Sequence, residues 1–136
     1  MLSSQVFDYI VIGGGIAGST FSNLMGRKGY KVLVIEKDEY PKHKVCGEYV
    51  SMESYNFMKG LGVPLDSFDL PRINQFQLTK PKGRAINLPL ELGGFGISRY
   101  LMDSELKKAS LNAGCQWVKD TVLSYGKEKD LYEVKT

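Results

Sequence analysis

The chain has 136 residues, 43% of them hydrophobic and 24% charged, which is the size of one domain and the composition of a folded protein, and excludes the fibrous and disordered classes. Its formal charge of +3 is the balance of 18 basic and 15 acidic residues scattered along the chain, and without a run of like charge nothing points to nucleic acid as a partner. The longest apolar stretch, Tyr9 to Ile12 and then glycine-rich sequence to Ala17, is shorter than the about 20 residues of a transmembrane segment. Asp8 at its start, with no cationic segment before it, excludes a secretory signal. Cys46 and Cys115 form neither a disulfide framework nor a metal-ligand spacing, so a reducing cytoplasm and no metal site are expected.

Phe7 to Ile12 reads as a strand, and its nearly continuous apolar character predicts burial on both faces, as in a parallel sheet. The turn Gly13-Gly14-Gly15-Ile16-Ala17-Gly18 follows and opens a helix from about Ile16 to Lys28. Ile16, Ala17, Thr20, Phe21, Leu24 and Met25 are its expected apolar side. Arg27, Lys28 and Gly29 close it, with cations at the negative end of the dipole and a glycine for the left-handed stop. Lys31 to Ile35 is a second buried strand, ended by Glu36.

This unit has the chemistry of a dinucleotide site. Gly13 allows the tight turn, Gly15 leaves room for a diphosphate to approach the helix amides, and Gly18 lets the helix pack against the strands. Glu36, eighteen positions past Gly18, is placed to accept hydrogen bonds from both hydroxyls of an adenosine ribose and to repel a 2′-phosphate. A lone GxGxxG motif is weak evidence, but here it leaves a strand, enters a helix and ends in an acid at the right distance.

The unit does not separate NAD from FAD. Residues 36–51 do more, because a plain NAD domain would pass quickly to its next helix. This chain makes a long basic excursion through Pro41, Lys42, His43 and Lys44 to Cys46-Gly47-Glu48, and long ordered loops are usually functional. With Gly96-Ile97-Ser98-Arg99, Asp103 and Leu106 farther on, the chain resembles the p-hydroxybenzoate hydroxylase superfamily of flavoproteins over essentially its whole length. The Cys-Gly-Glu loop is most similar to the geranylgeranyl reductase branch; related loops occur in flavin-dependent halogenases and ubiquinone-pathway hydroxylases.

The resemblance implies FAD as cofactor. It implies that Gly13, Gly14, Gly15, Ala17 and Gly18 bind the diphosphate and that Glu36 binds the adenosine ribose with Lys37 beside it. Cys46 and Gly47 would lie near the flavin, Arg99 would pair with phosphate or ribose oxygens, and the backbone around Val122 would touch adenine. It also implies a hydrophobic small-molecule substrate, with NAD(P)H or another electron donor. No catalytic side chain is assigned.

Along the remainder, Ser51 to Leu61 is an expected helix with Ser51 as N-cap and Gly62 as stop. Its Met52, Tyr55, Phe57, Met58 and Leu61 read as core rather than as a substrate stripe. Ile73 to Leu78 and Ala85 to Leu88 flank Lys80-Pro81-Lys82-Gly83 as a hairpin, and Gly93 to Gly96 reads as a flexible crossing. A helix from Arg99 to Ala113 is stopped by Gly114, then Cys115 to Val118 is a third parallel strand, and Thr121 to Gly126 with Leu131 to Val134 is a second hairpin. A cation at the start of a helix opposes its dipole, so Arg99 calls for an anion to offset it. Cys46 reads as positional rather than redox-active, and His43 as a loop residue. Glu48 has two readings, a hydrogen bond near the substrate or neutralisation of the nearby lysines.

The expected architecture is α/β: a Rossmann-like FAD-binding parallel sheet with an inserted β-hairpin region, truncated. Its parts are the βαβ unit (5–37), a cofactor-contacting loop and helix (38–63), the inserted β region (70–92), and a helix, third strand and start of a β-meander (97–136). The resemblance implies later Asp-Gly and Gly-Asp segments that hold the flavin, and neither dipeptide occurs. The chain is therefore expected to be the N-terminal portion of a longer protein, to hold little flavin alone, and to reside in the cytoplasm or at the periphery of a membrane.

Overall fold

The computed structural model describes residues 5–136. Three parallel strands form its first layer: β1 (Tyr9–Ile12), β2 (Val32–Glu36) and β6 (Gln116–Lys119), side by side in the order β1-β2-β6. Helix α1 (Ile16–Arg27) connects β1 to β2, and α3 (Arg99–Asn112) leads into β6. Between them the chain leaves the parallel sheet and builds a second, antiparallel one in the order β3-β5-β4, from β3 (Tyr49–Ser51), β4 (Arg72–Thr79) and β5 (Ala85–Gly96). Helix α2 (Glu53–Gly60) and a 3-10 turn at Leu65–Ser67 lie between β3 and β4, and β7 (Ser124–Glu128) and β8 (Leu131–Lys135) close the described chain as a hairpin. This is the Rossmann-like α/β arrangement with an inserted β region.

The central strand β2 is buried along its whole length, as its Val-Leu-Val-Ile run requires. The same expectation for β1 is corrected: Tyr9 is 37% and Ile12 55% exposed. Both have β2 on one side only, because β1 is an outer strand of the sheet, and an outer strand is not enclosed as a central one is.

The buried side of α1 also differs from the apolar stripe expected. Ser19, Ser22 and Asn23 are buried, while Ile16, Phe21 and Leu24 are exposed. The small polar face wins because α1 packs closely against α3 and finds hydrogen-bond partners there and at the end of α2. The Ser22 and Ser110 hydroxyls bond each other at 2.8 Å, and the Asn23 amide donates to the Leu61 carbonyl at 3.1 Å. Trp117 Nε1 donates to the same Ser110 hydroxyl at 3.1 Å, so the seam's hydroxyls and the Asn23 amide nitrogen are paired as buried polar groups usually are, while Asn23 Oδ1 has no protein partner among the described residues.

The larger apolar core gathers Met58, Leu61, Val63 and Leu65 with Phe95, Ile97, Met102 and Leu106, joining α2, the end of β5 and α3. Met58 and Leu61 thus serve as the core residues expected of α2, whereas Phe57 is 52% exposed. The expected helix start at Ser51 is corrected. Tyr49, Val50 and Ser51 pair with Gly96, Phe95 and Gly94 as a strand, and α2 begins at Glu53. A three-residue strand leaves little local signal, since its stability comes from a partner more than forty residues away. That partner is the stretch read as a flexible crossing. It is strand because glycine is needed there: a Cβ on Gly94 would lie 2.3 Å from the Tyr49 ring and 2.7 Å from the Val50 carbonyl oxygen.

Candidate dinucleotide site

The site forms at the C-terminal ends of the parallel strands, where open α/β sheets take their ligands. Gly13 leaves β1 with φ +97°, a left-handed conformation that disfavours any side chain, and its amide donates to the Ile35 carbonyl at 2.8 Å. Gly14 is clamped on all sides. Its amide donates to Glu36 Oε2 at 2.7 Å, and its carbonyl accepts from the Ser19 hydroxyl at 2.7 Å and the Tyr40 hydroxyl at 2.6 Å. A Cβ on Gly14 would fall 2.3 Å from the Trp117 ring, so this glycine serves packing.

Gly15 is the N-cap of α1, with no side-chain cap and no acidic residue in the first turn. The first amides of a helix have no partner inside it and carry the positive end of its dipole. Among the described residues nothing lies within 4 Å of a Cβ built on Gly15, whereas one on Gly18 would sit 2.0 Å from the Gly13 carbonyl oxygen. Gly18 therefore holds helix and turn together, and Gly15 leaves open the space in front of the amides. Free donors beside such a space fit a diphosphate.

Glu36, 7% exposed, ends β2 beneath that turn. Besides Gly14, its carboxylate accepts from the Asp38 amide at 3.0 Å and from Lys42 Nζ at 2.9 Å, both on Oε1. Burial alone would push its carboxyl up, but hydrogen bonds from Lys42 and from the Asp38 and Gly14 amides outweigh it and hold it below the usual glutamate range. An ionised carboxylate at this point fits a ribose diol.

The basic excursion folds back over the turn. Tyr40 stacks edge-on against Trp117 with its hydroxyl on Gly14. Its ionisation is pushed up to about 12 by burial and by the Glu36 charge. Lys42 also pairs with Asp38 at 2.6 Å, and His43 stacks on Tyr100 with ring centres 4.7 Å apart. Cys46 and Gly47 are exposed. Their loop is tied to the start of α3 by the Ile97 amide, which donates to the Glu48 carbonyl at 2.9 Å. Glu48 makes no ion pair with Lys42 or Lys44 among those of the described residues.

Arg99 sits at the first position of α3, after the N-cap Ser98, whose hydroxyl accepts from the Leu101 amide at 3.2 Å. Its Nε and Nη2 each donate at 2.8 Å to the fully buried Asp103. The anion that a cation at a helix start calls for is thus supplied from within the helix by Asp103. Lys37 is exposed, and the half-buried Val122 lies between β6 and β7. The Asp120 amide donates to the Glu36 carbonyl at 3.1 Å, so the chain before Val122 leaves the sheet beside Glu36. Gly13, Gly14, Gly15, Gly18 and Glu36 therefore meet in one place. Sequence reasoning missed the roles of Tyr40, Lys42, Trp117 and Asp103. The i, i+4 spacing of Arg99 with Asp103 on an expected helix was the available signal for that pair.

A glycine-rich turn between the first parallel strand and a helix, with an acid ending the second strand, defines a dinucleotide-binding Rossmann-like domain. The family model for an NAD(P)-binding Rossmann-like domain matches residues 11–42. The geranylgeranyl diphosphate reductase of Rhodobacter capsulatus is 30% identical over 118 residues, 86% of this chain and 29% of the relative. A 1H-pyrrole-2-carbonyl-[peptidyl-carrier protein] brominase of Pseudoalteromonas luteoviolacea is 30% identical over 137 residues, 93% of this chain and 33% of the relative. Among solved structures, a geranylgeranyl bacteriochlorophyll reductase-like protein from Thermoplasma acidophilum superposes with a TM-score of 0.74 at 27% identity, covering 90% of this chain and 32% of that one. A flavin-dependent brominase shares the fold, with a TM-score of 0.77 at 22% identity over 96% of this chain and 34% of its own.

The chain belongs to the superfamily of FAD-dependent oxidoreductases and halogenases, and the cofactor of that superfamily is FAD. It spans about a quarter to a third of the length of the curated relatives it matches. Among the described residues no helix is long and apolar enough to cross a membrane.

Proposed function

We propose that this chain supplies the adenosine and diphosphate half of the FAD site in an oxidoreductase that reduces a hydrophobic substrate, in the manner its geranylgeranyl reductase relatives are named for. The observation that carries the reading is the open, uncapped start of α1 beside the ionised Glu36. Gly13, Gly14, Gly15, Ala17 and Gly18 would surround the diphosphate, and Glu36 the ribose, with Lys37 beside it. Arg99 would offer its guanidinium edge to phosphate or ribose oxygens while Asp103 holds it in place. The Val122 backbone would meet adenine, and Cys46 with Gly47 would lie near the flavin.

Bound FAD would supply the hydride, recharged by NAD(P)H or another donor, and the protein would orient the partners and exclude water. Residence in the cytoplasm, with contact to a membrane surface when the substrate is lipid-like, suits a chain of this kind. A second reading, an aromatic monooxygenase or halogenase-like enzyme, is favoured by the identity with the brominase. A third reading is a non-catalytic fragment that folds or binds a partner without chemistry of its own.

The test uses the longest native protein that contains this chain, loaded with FAD. Reduction of an isoprenoid double bond, with the product heavier by one hydrogen pair and no oxygen consumed, supports the reductase. Substrate-dependent oxygen uptake replaces it with the second reading. A protein that takes up no flavin leaves only the third.

A further inference from the structure

Lys42 occupies part of the very acceptor that a nucleotide sugar would need. Its Nζ lies 2.9 Å from Glu36 Oε1 and 2.6 Å from Asp38 Oδ2, and the Lys42 and Glu36 side chains are only 15% and 9% exposed. Oε1 also accepts from the Asp38 amide at 3.0 Å, while among the described residues Oε2 accepts from Gly14 alone at 2.7 Å. A carboxylate has about four lone-pair sites, two on each oxygen. Three are filled, and the remaining one is on Oε2. A ribose presents two neighbouring hydroxyls, so its full reception on both oxygens requires one donor to leave Oε1. The Asp38 amide is backbone at the exit of β2, whereas Lys42 hangs on a flexible four-carbon stem with a second carboxylate already in reach.

We propose that Lys42 is an internal competitor for the ribose acceptor: it holds Glu36 in the free protein and passes to Asp38 when a sugar diol arrives. The inference rests on the dinucleotide reading of the site. Lys42 lies between Tyr40, which grips the Gly14 carbonyl, and the Cys46-Gly47 loop. Its transfer would tell that loop whether the adenosine half of the site is filled. Lys42 then sets cofactor affinity without touching the flavin.

The test is calorimetric titration of ADP into the whole 136-residue chain and into Lys42→Met, Glu36→Gln and the double variant, each checked for folding by circular dichroism. Lys42→Met is expected to tighten ADP binding about tenfold, a coupling typical of one charge-assisted contact, and to give no gain when Glu36→Gln is already present. ADP binding to the wild type with unchanged or weaker binding to Lys42→Met overturns the inference and leaves the dinucleotide site standing. Absence of ADP binding to every form overturns both. Asp38→Asn covers a Lys42 variant that fails to fold. It removes the second seat for the ammonium, so ADP should bind severalfold more weakly, and equal or tighter binding overturns the inference by that route.

Discussion

Two glycines of the turn, three residues apart, should respond to the same substitution in opposite ways. At Gly18 a Cβ would lie 2.0 Å from the Gly13 carbonyl oxygen and 3.1 Å from Val11 Cγ1. The nearer atom is backbone at the point where β1 turns, so the clash has no flexible side chain to absorb it. Overpacking of this kind costs up to about 3 kcal/mol, and the better helix propensity of alanine returns about 1 kcal/mol. Gly18→Ala should therefore lose about 2 kcal/mol, and at about 4 °C per kcal/mol for a chain of this length its Tm should fall by about 8 °C.

At Gly15 the backbone has φ −64° and ψ −172°, which alanine adopts freely, and the added Cβ meets nothing within 4 Å among the described residues. The poorer N-cap and the stiffer unfolded chain nearly cancel, so stability should stay within about 1 kcal/mol of wild type. The methyl group nonetheless stands in the space where a diphosphate meets the helix amides. ADP binding should weaken by about 2 kcal/mol, roughly thirtyfold in Kd. Thermal melts of both variants and ADP titration of Gly15→Ala make the comparison. Equal losses of Tm in the two variants, or unaltered ADP affinity in Gly15→Ala, would refute the reasoning.

Other expectations follow from the packing and the charges. Asp103→Ala would leave the mostly buried Arg99 guanidinium without its two 2.8 Å partners at the positive end of α3, and urea denaturation should show a loss of about 2–3 kcal/mol. A loss below half a kcal/mol, by the same assay, would mean that water replaces the carboxylate there at about no cost. Phe95→Ala, at a fully buried position of the main core, should cost about 3–5 kcal/mol, read from the midpoint of chemical unfolding. Glu36 titrates below its ordinary value of 4.5, so the folded state binds its proton more weakly than the unfolded state does. Its contribution to stability is present above that value and is lost as pH falls through the depressed one. Glu36→Gln should flatten this part of an acid titration of Tm, and an unchanged slope would contradict the assignment.

The βαβ unit was legible because its signals are local. Four apolar residues in a row, three glycines at set positions and an acid at a fixed distance each follow from one stretch of chain. What escaped was decided by distant partners. β3 pairs with a stretch more than forty residues away in which Gly94 leaves room for the Tyr49 ring and the Val50 carbonyl. The face of α1 turned inward because Ser110 and Leu61 offered partners to Ser22 and Asn23, which no periodicity encodes. The position of Arg99 at a helix start calls for an anion, and the buried Asp103 one turn along supplies one. Lys42 was visible only as one charge in a basic loop, because its role depends on the loop folding back over Glu36.

The central claim is that an ionised Glu36 faces the sugar of a nucleotide whose diphosphate rests on the start of α1. Paired titrations of the folded chain with ADP and with the 2′-phosphorylated analogue of ADP test it most directly. The carboxylate would accept two hydroxyls and repel a phosphate, so ADP should bind at least about tenfold tighter. Equal affinities, or a preference for the 2′-phosphate, would contradict the account.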